Sequence, residues 1–237
     1  MASRNAQIRE RGIGAALVAP LVRLAWAAAV LVSLLVAALC VDGVFVFHVW
    51  PEGVEHLRAI LAKDLAKVAQ IGGDNPLLTE VAIGTANALY ALLFEVTGIH
   101  EMGMRFAEGA ALSIPDTITR SAYLAHRAGI EVVMVGTQLF GVRVALLGSG
   151  VPLLVLLYVV ALVDGLVQRA VRRASGGRES SGLYHRAKYL QTLLAAGVLA
   201  IVLLLPVSAD PRWVGVPATV LMALAARVQG SYYKKHL

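Results

Sequence analysis

The sequence predicts an all-α fold: a polytopic helical membrane protein with four transmembrane helices and an external, periplasmic helical domain. Residues of the set A, V, I, L, M, F, W, Y and C make up 58% of the 237 residues, and charged residues only 15%. Soluble domains carry about 25% charged residues, so this chain has too little charge to cover a surface in water. The mean hydropathy of +0.73 supports the same class.

The first transmembrane helix is predicted over residues 24–47, after a basic N-terminus at 1–23. The apolar core of a secretory signal peptide spans about 7–15 residues, so this longer run predicts a retained anchor instead. A helix needs about 20 residues to cross the hydrocarbon core of a bilayer. The further runs that predict spans are 144–167, 189–207 and, somewhat shorter, 213–226. The last two are predicted to form a hairpin around Pro211.

A fifth candidate span is the helix predicted over residues 77–97, which follows the typical helix start Asn75-Pro76. Its interior contains several polar residues, which makes it a poor helix for contact with lipid. These are Thr79, Glu80, Thr85, Asn87 and Glu95. The hydropathy pattern therefore leaves four or five spans, and a second criterion is needed to decide between them.

Charge asymmetry favours four spans with both termini in the cytoplasm, because cytoplasmic segments are enriched in Lys and Arg. The stretches that four spans place inside contain Arg4, Arg9, Arg11, Arg169, Arg172, Arg173, Arg178, Arg186, Lys188, Arg227, Lys234 and Lys235. A fifth span would move the cluster at 168–188 outside. The sequence thus predicts a multi-pass protein of a bacterial inner membrane, with 168–188 as a basic cytoplasmic loop and 227–237 as a cytoplasmic tail.

Residues 48–143 are predicted to form the periplasmic domain, and they carry seven basic and ten acidic residues. Apolar residues recur at three- and four-residue spacing from Val54 to Val68, which predicts an amphipathic helix ending at Gly72-Gly73. Another helix is expected to begin at Ser113-Ile114-Pro115 and to close at Gly129.

The stretch 130–173 contains no strong helix stop apart from Pro152. As one helix it would be about twice as long as the hydrocarbon core is thick, at about 1.5 Å per residue. Its first third is therefore expected to project outside and to pack on the helices of residues 54–129. The segment Gly148–Pro152 is expected to be a kink or a point of close helix packing.

No sequence motif indicates catalysis. His100-Glu101-Met102-Gly103-Met104 has the start of the zinc-protease pattern HExxH but lacks its second histidine. The six histidines are scattered, and Cys40 is the single cysteine, so neither a disulfide nor a Cys-based metal site is expected. We therefore expect a protein that is not an enzyme, with no catalytic residue, no metal and no cofactor.

Asp42 and Asp164 are candidates for a function inside the membrane, because burial of a charge in a span is costly. Each lies within about two helical turns of the end of its span. Snorkelling, or pairing of Asp164 with Gln168 or Arg169 along the helix, would also explain them. A small transporter or channel that uses these two carboxylates is the alternative functional hypothesis.

The densest polar sequence is the 168–188 loop. Its candidate partner-docking residues are Arg172, Arg173, Arg178, Glu179, Ser180, Ser181, Tyr184, His185, Arg186 and Lys188. A plain positive-inside anchor, with Ser180 or Ser181 capping the next helix, explains part of this pattern, so both interpretations stay open. Direct nucleic-acid binding is not expected, because the loop has few charges and no run of aromatic residues for stacking.

The motif Gly177-Arg178-Glu179-Ser180-Ser181, followed by Tyr184-His185-Arg186-Ala187-Lys188, resembles the loop of a family of integrating conjugative element membrane proteins. The layout of a basic N-terminus, one span, a long external segment and three later spans is similar as well. The resemblance implies an accessory or scaffold protein of conjugative DNA transfer in the inner membrane. It also implies partners in a type IV secretion apparatus, such as the coupling ATPase, besides membrane lipid.

Overall fold

The structure, a computed structural model, describes residues 2–73, 76–107, 114–176 and 181–233. Every regular element within these residues is helical, which confirms the all-α class. The helices are α1 (Ala2–His48), α2 (Val54–Gly72), α3 (Leu77–Tyr90), α4 (Ile99–Ala107), α5 (Ile114–Ala125), α6 (Arg127–Ala174), α7 (Ser181–Leu204) and α8 (Pro211–Ser231). A π-helical turn, Ala91–Glu95, extends α3.

Several of the described helices are long and apolar enough to cross a membrane. They are Ala19–His48, Leu77–Glu95, Arg127–Ala174, Gly182–Leu204 and Pro211–Ser231. Large apolar side chains lie exposed along them, as at Leu156 on α6, Leu193 on α7 and Trp213 on α8. Apolar surface of this extent is covered by lipid in a membrane protein. The prediction of a membrane protein is therefore supported by the fold.

The chain divides into two compact units, residues 1–37 and 38–237. The first unit is the N-terminal part of α1, which is already helical from Ala2 and continues through Pro20. From residue 19 onward its side chains are mostly exposed and apolar, and Leu24 and Trp26 are examples. The basic N-terminus predicted over residues 1–23 is thus part of the same helix as the first predicted span.

The second unit is built on α6, which runs through 48 residues and is therefore about 72 Å long. The stretch 130–173, in which the sequence has no strong helix stop apart from Pro152, thus lies within a single helix. Helices α2 and α3 pack on its N-terminal half, as predicted, and α8 packs along its C-terminal half with α7 against α8.

Helix α2 runs parallel to α6. Leu57 clusters with Val132, near the start of α6, whereas Val68 clusters with Leu146, four turns further along. Helix α3 then returns in the opposite direction, because its start lies beside Gly72 and its later residue Ala86 contacts Gly141 of α6. The start of α2 and the end of α3 therefore both lie towards the start of α6.

Glycines allow two very close helix contacts along α6. A Cβ atom on Gly141 would lie 2.6 Å from the Cα atom of Ala86 in α3, and one on Gly165 would overlap the carbonyl oxygen of Arg227 in α8. By contrast, Cβ atoms on Gly148 and Gly150 would meet no atom within 4 Å. Of the two alternatives predicted for Gly148–Pro152, a kink or a point of close helix packing, these glycines do not support close packing, and the close contacts lie at both sides of the segment.

Some predicted helix ends need correction. The amphipathic helix ends at Gly72 as predicted, and Gly73 has a φ of 53°, which favours glycine. The helix predicted to close at Gly129 already ends at Ala125, and α6 begins two residues later at Arg127. Ser113, its predicted cap, lies outside the described residues. Helix α4 was not predicted, because its nine residues give too short an apolar pattern.

Candidate functional site at the basic end of the helices

The end of α6, the start of α7 and the end of α8 meet at one end of the second unit. The Nη1 atom of Arg172 in α6 donates a hydrogen bond of 3.1 Å to the carbonyl oxygen of Ser231 in α8. The ring centroids of Tyr184 in α7 and Tyr233 after α8 lie 6.1 Å apart. We call this region the basic end; it consists of Arg169, Arg172, Arg173, Tyr184, His185, Arg186, Lys188, Arg227, Tyr232 and Tyr233.

Two arginines of α6 stack on the two tyrosines that follow α8. The guanidinium carbon of Arg172 lies 3.9 Å from the ring centroid of Tyr232, and that of Arg169 lies 5.5 Å from the ring centroid of Tyr233. Such cation–π contacts contribute about 0.5–1 kcal/mol each at exposed sites. They also hold the planar guanidinium groups in fixed orientations, so less side-chain entropy is lost when a carboxylate or phosphate binds.

Asp164 has a partner across the helix interface. Its carboxylate accepts a hydrogen bond from Nε of Arg227 in α8, and the side-chain amide of Gln168 lies against the same guanidinium group. The predicted pairing of Asp164 along its own helix with Gln168 or Arg169 is therefore wrong, because the cation that binds this carboxylate belongs to α8. The contact lies beside Gly165, where the two helix backbones approach most closely.

The structure brings part of the predicted docking set together. Arg172 and Tyr184 contact the tyrosines of α8, and the ring of His185 lies edge-on to that of Tyr184 at 5.4 Å. Arg173, Arg186 and Lys188 are exposed, and Ser181 is the first residue of α7. Arg178, Glu179 and Ser180 lie outside the described residues.

Four residues of the basic end were not in the predicted docking set: Arg169, Arg227, Tyr232 and Tyr233. A usable signal was present, because Tyr232-Tyr233 directly precedes Lys234-Lys235 after the last predicted span. Tyrosines are enriched at the membrane interface, and tyrosines beside a cluster of lysines indicate that the C-terminal tail shares a surface with the 168–188 loop.

A second polar cluster lies buried near the opposite end of α7 and α8. Nε of Arg143 donates to Oδ2 of Asp64 at 3.0 Å, and both residues are only 3% exposed. The other two nitrogens of Arg143 donate to the carbonyl oxygens of Leu205 at 2.8 Å and Val207 at 3.0 Å. The buried guanidinium thus joins α2 and α6 to the turn between α7 and α8.

The remaining groups of this buried cluster also bind one another. Ser208 donates to Oδ1 of Asp64, and Lys67 donates to Oγ of Ser208 at 2.5 Å. In the same turn, Asp210 caps α8 by accepting from the backbone nitrogen of Arg212 at 2.9 Å. The Arg212 side chain hydrogen-bonds to Asp210 and holds the pKa of that carboxyl below its ordinary value. The buried contacts of Asp64 with Arg143 and Ser208 indicate a structural role for this cluster.

Asp42 of α1 is also buried, at 3% exposure, and it faces α6 at Gly136. A Cβ atom on that glycine would lie 3.0 Å from Oδ2 of Asp42. Within the described part of the chain, no group of three or more His, Cys, Asp or Glu residues could hold a metal ion. The basic end is the part of the described structure where arginine and tyrosine side chains of α6, α7 and the segment after α8 come together.

The fold and the basic end define a helical membrane protein with a preorganised cationic surface at one end. Comparison with known families gives this class an identity: the family model described as "IncC plasmid conjugative DNA transfer protein DtrJ-like" matches residues 49–234. The chain belongs to this DtrJ-like family of conjugative DNA transfer proteins. No curated protein and no solved structure matches it.

The match confirms that the predicted resemblance to a conjugation-related family is correct at the level of conjugative DNA transfer. The description of the matched family refers to a plasmid, so a link to integrating elements stays a prediction. The matched range covers α2 to α8 and includes the whole basic end.

Proposed function

We propose that this protein is a non-enzymatic accessory or scaffold subunit of a conjugative, type IV secretion apparatus in the bacterial inner membrane. Membership of the DtrJ-like family supports the process. The long apolar helices support the membrane location. The observation that carries the proposed role is the basic end, where stacked arginines of α6 and aromatic residues of α7 and α8 form one surface.

We further propose four spans, with both termini and the basic end in the cytoplasm. The direction of the chain supports this number. The end of α1 runs antiparallel to α6, because Asp42 lies beside Gly136 and Val46 clusters with Val132. The end of α7 and the turn before α8 lie beside Arg143 of α6, whereas the start of α7 and the end of α8 lie together near Arg172. Helix α7 therefore runs antiparallel to α6, and α8 runs parallel to it. The α2–α3 hairpin leaves the side unchanged.

The four-span topology predicts the accessibility of two engineered thiols in a background with Cys40→Ala. Glu101→Cys on α4 and Gly182→Cys on α7 both replace exposed residues. A membrane-impermeant maleimide should label the first in intact cells, and the second only after the inner membrane has been permeabilised. Equal labelling of both thiols in intact cells, or the reverse pattern, would reject the topology.

The proposed partner at the basic end is the coupling ATPase of the apparatus. Fixed guanidinium groups bind carboxylates through two parallel hydrogen bonds, and they are therefore suited to an acidic surface of a soluble protein. Arg173 and Arg186 are the better positions for a test, because both are exposed, whereas Arg172 packs on Tyr232 and binds Ser231. Charge reversal at exposed positions changes docking without disturbing the contacts between helices.

The double variant Arg173→Glu, Arg186→Glu should recover at least about tenfold less coupling ATPase on co-purification in mild detergent, a loss that corresponds to about 1.4 kcal/mol. The reason is repulsion between the new carboxylates and an acidic partner surface. Arg105→Glu on α4, also at an exposed position, is the matched control and should leave recovery unchanged. Equal recovery with the double variant and wild type would exclude docking through the basic end.

A further inference from the structure

An apolar groove lies between α6 and α7, at the end of these helices away from the basic end. Its volume is about 540 Å³. The groove exists because α8 packs extensively on both α6 and α7, whereas these two helices contact each other only sparsely. Residues that line it include Gly148, Gly150, Ala195, Leu199, Gly215 and Val216.

The lining of the groove favours an apolar occupant. Its glycines are open, since Cβ atoms on Gly148, Gly150 and Gly215 would meet no atom within 4 Å. The hydroxyl of Ser149, which also lines the groove, already donates to the carbonyl oxygen of Leu146 at 2.7 Å. The helices that form the groove all belong to candidate membrane spans. Hydrocarbon therefore surrounds the groove in a bilayer, and filling it with water would be unfavourable.

One cation lies at the mouth of this groove. Arg212, in the first turn of α8, is part of the lining, and Asp210 binds its Nε and Nη2 atoms. Within the described part of the chain, Nη1 of Arg212 has no such partner. Arginine at the surface of a membrane, beside an apolar groove that runs into the hydrocarbon, is the arrangement that binds a phospholipid phosphate.

We propose that this groove is a binding site for one phospholipid, with an acyl chain between α6 and α7 and the phosphate on Arg212. The Nη1 donor of Arg212 distinguishes this occupant from an apolar transmembrane helix of a partner or of a second copy, because such a helix would bring no anionic acceptor to that nitrogen.

The test uses the full-length protein, purified in mild detergent and analysed by native mass spectrometry for bound phospholipid. The variant Gly215→Leu fills the groove with a side chain. Gly197→Leu on α7 is the matched control, because its Cβ also meets no atom within 4 Å but Gly197 does not line the groove. Arg212→Gln removes the phosphate contact and keeps the backbone nitrogen that Asp210 caps.

Wild type and Gly197→Leu should each retain one phospholipid, and Gly215→Leu should retain about tenfold less. Arg212→Gln should lower retention of anionic and zwitterionic phospholipids, but not of a detergent that lacks a phosphate. Size-exclusion chromatography establishes that each variant is folded. Two results would overturn the proposal: equal lipid retention by Gly215→Leu and Gly197→Leu, or a dimer mass in wild type that is lost in Gly215→Leu.

Discussion

Replacing Arg143 by methionine should lower the free energy of unfolding by about 3–5 kcal/mol, the usual cost of removing one partner from a buried ion pair. Asp64 would remain buried at 3% exposure without its main cation. The carbonyl oxygens of Leu205 and Val207 would each lose a hydrogen-bond donor. The measurement is denaturant unfolding of the purified protein in detergent, followed by tryptophan fluorescence.

Arg58→Met is the matched control for this experiment. Arg58 also contacts two carboxylates, Glu55 at 2.6 Å and Glu131 at 3.4 Å, but its side chain is 47% exposed. Exposed ion pairs contribute about 0–1 kcal/mol, so this variant should lose little stability. Equal losses for Arg143→Met and Arg58→Met would show that the buried cluster contributes no more than a surface pair.

The double variant Arg143→Met, Asp64→Leu separates the cost of an unpaired charge from the value of the pair. Because Leu removes the buried carboxylate, the double variant should be more stable than Arg143→Met by several kcal/mol. The turn between α7 and α8 would still lack its hydrogen bonds from Arg143, so full recovery is not expected. If the double variant is as unstable as Arg143→Met, the lost free energy of unfolding comes from the hydrogen bonds to the two carbonyl oxygens and not from the unpaired charge on Asp64.

Apolar patterning was enough to predict the main helices. Runs of about 20 apolar residues at 144–167 and 189–207 correspond to the C-terminal half of α6 and to most of α7. The absence of a strong helix stop between residues 130 and 173, apart from Pro152, allowed one helix longer than the hydrocarbon core is thick, and α6 is such a helix. Both features can be inferred from local sequence, because the hydrogen bonds of a helix join residues that are four apart in the chain.

The pairing of the helices could not be predicted in this way. Asp64 and Arg143 are 79 residues apart, and their contact depends on the register in which α2 lies along α6. The same holds for Asp164, whose partner Arg227 lies 63 residues further along the chain. Within one helix, a spacing of four residues identifies side chains that are neighbours. Between two helices, the neighbours depend on how far one helix is shifted along the other and on how each is rotated about its axis. A single sequence determines neither quantity.

The aromatic contacts of the basic end could also be predicted only in part from the sequence. The charges of the 168–188 loop were visible in the sequence because they are consecutive. Tyr232 and Tyr233 join them only because α8 runs parallel to α6 and is long enough to bring its end beside Arg172. The charges could be predicted to lie in one loop, whereas the contacts of Arg169 and Arg172 with the two tyrosines depend on the length of the last helix.

Gly165→Ala should destabilise the protein by about 1–3 kcal/mol, even though alanine is a better helix former than glycine by about 1 kcal/mol. The new methyl group would overlap the backbone carbonyl of Arg227, and a helix backbone cannot move aside as a flexible side chain can. Helices α6 and α8 would therefore separate, which also weakens the contact between Asp164 and Arg227. Thermal unfolding in detergent measures the loss.

Gly148→Ala is the control in the same helix with the same chemical change. A Cβ atom at this position meets no atom within 4 Å, so only helix propensity acts, and the variant should be as stable as wild type or more stable by up to about 1 kcal/mol. The two alanines are thus expected to have effects of opposite sign. A stabilising Gly165→Ala would mean that α6 and α8 do not touch at this glycine, and the register that places Arg172 on Tyr232 would have to be abandoned with it.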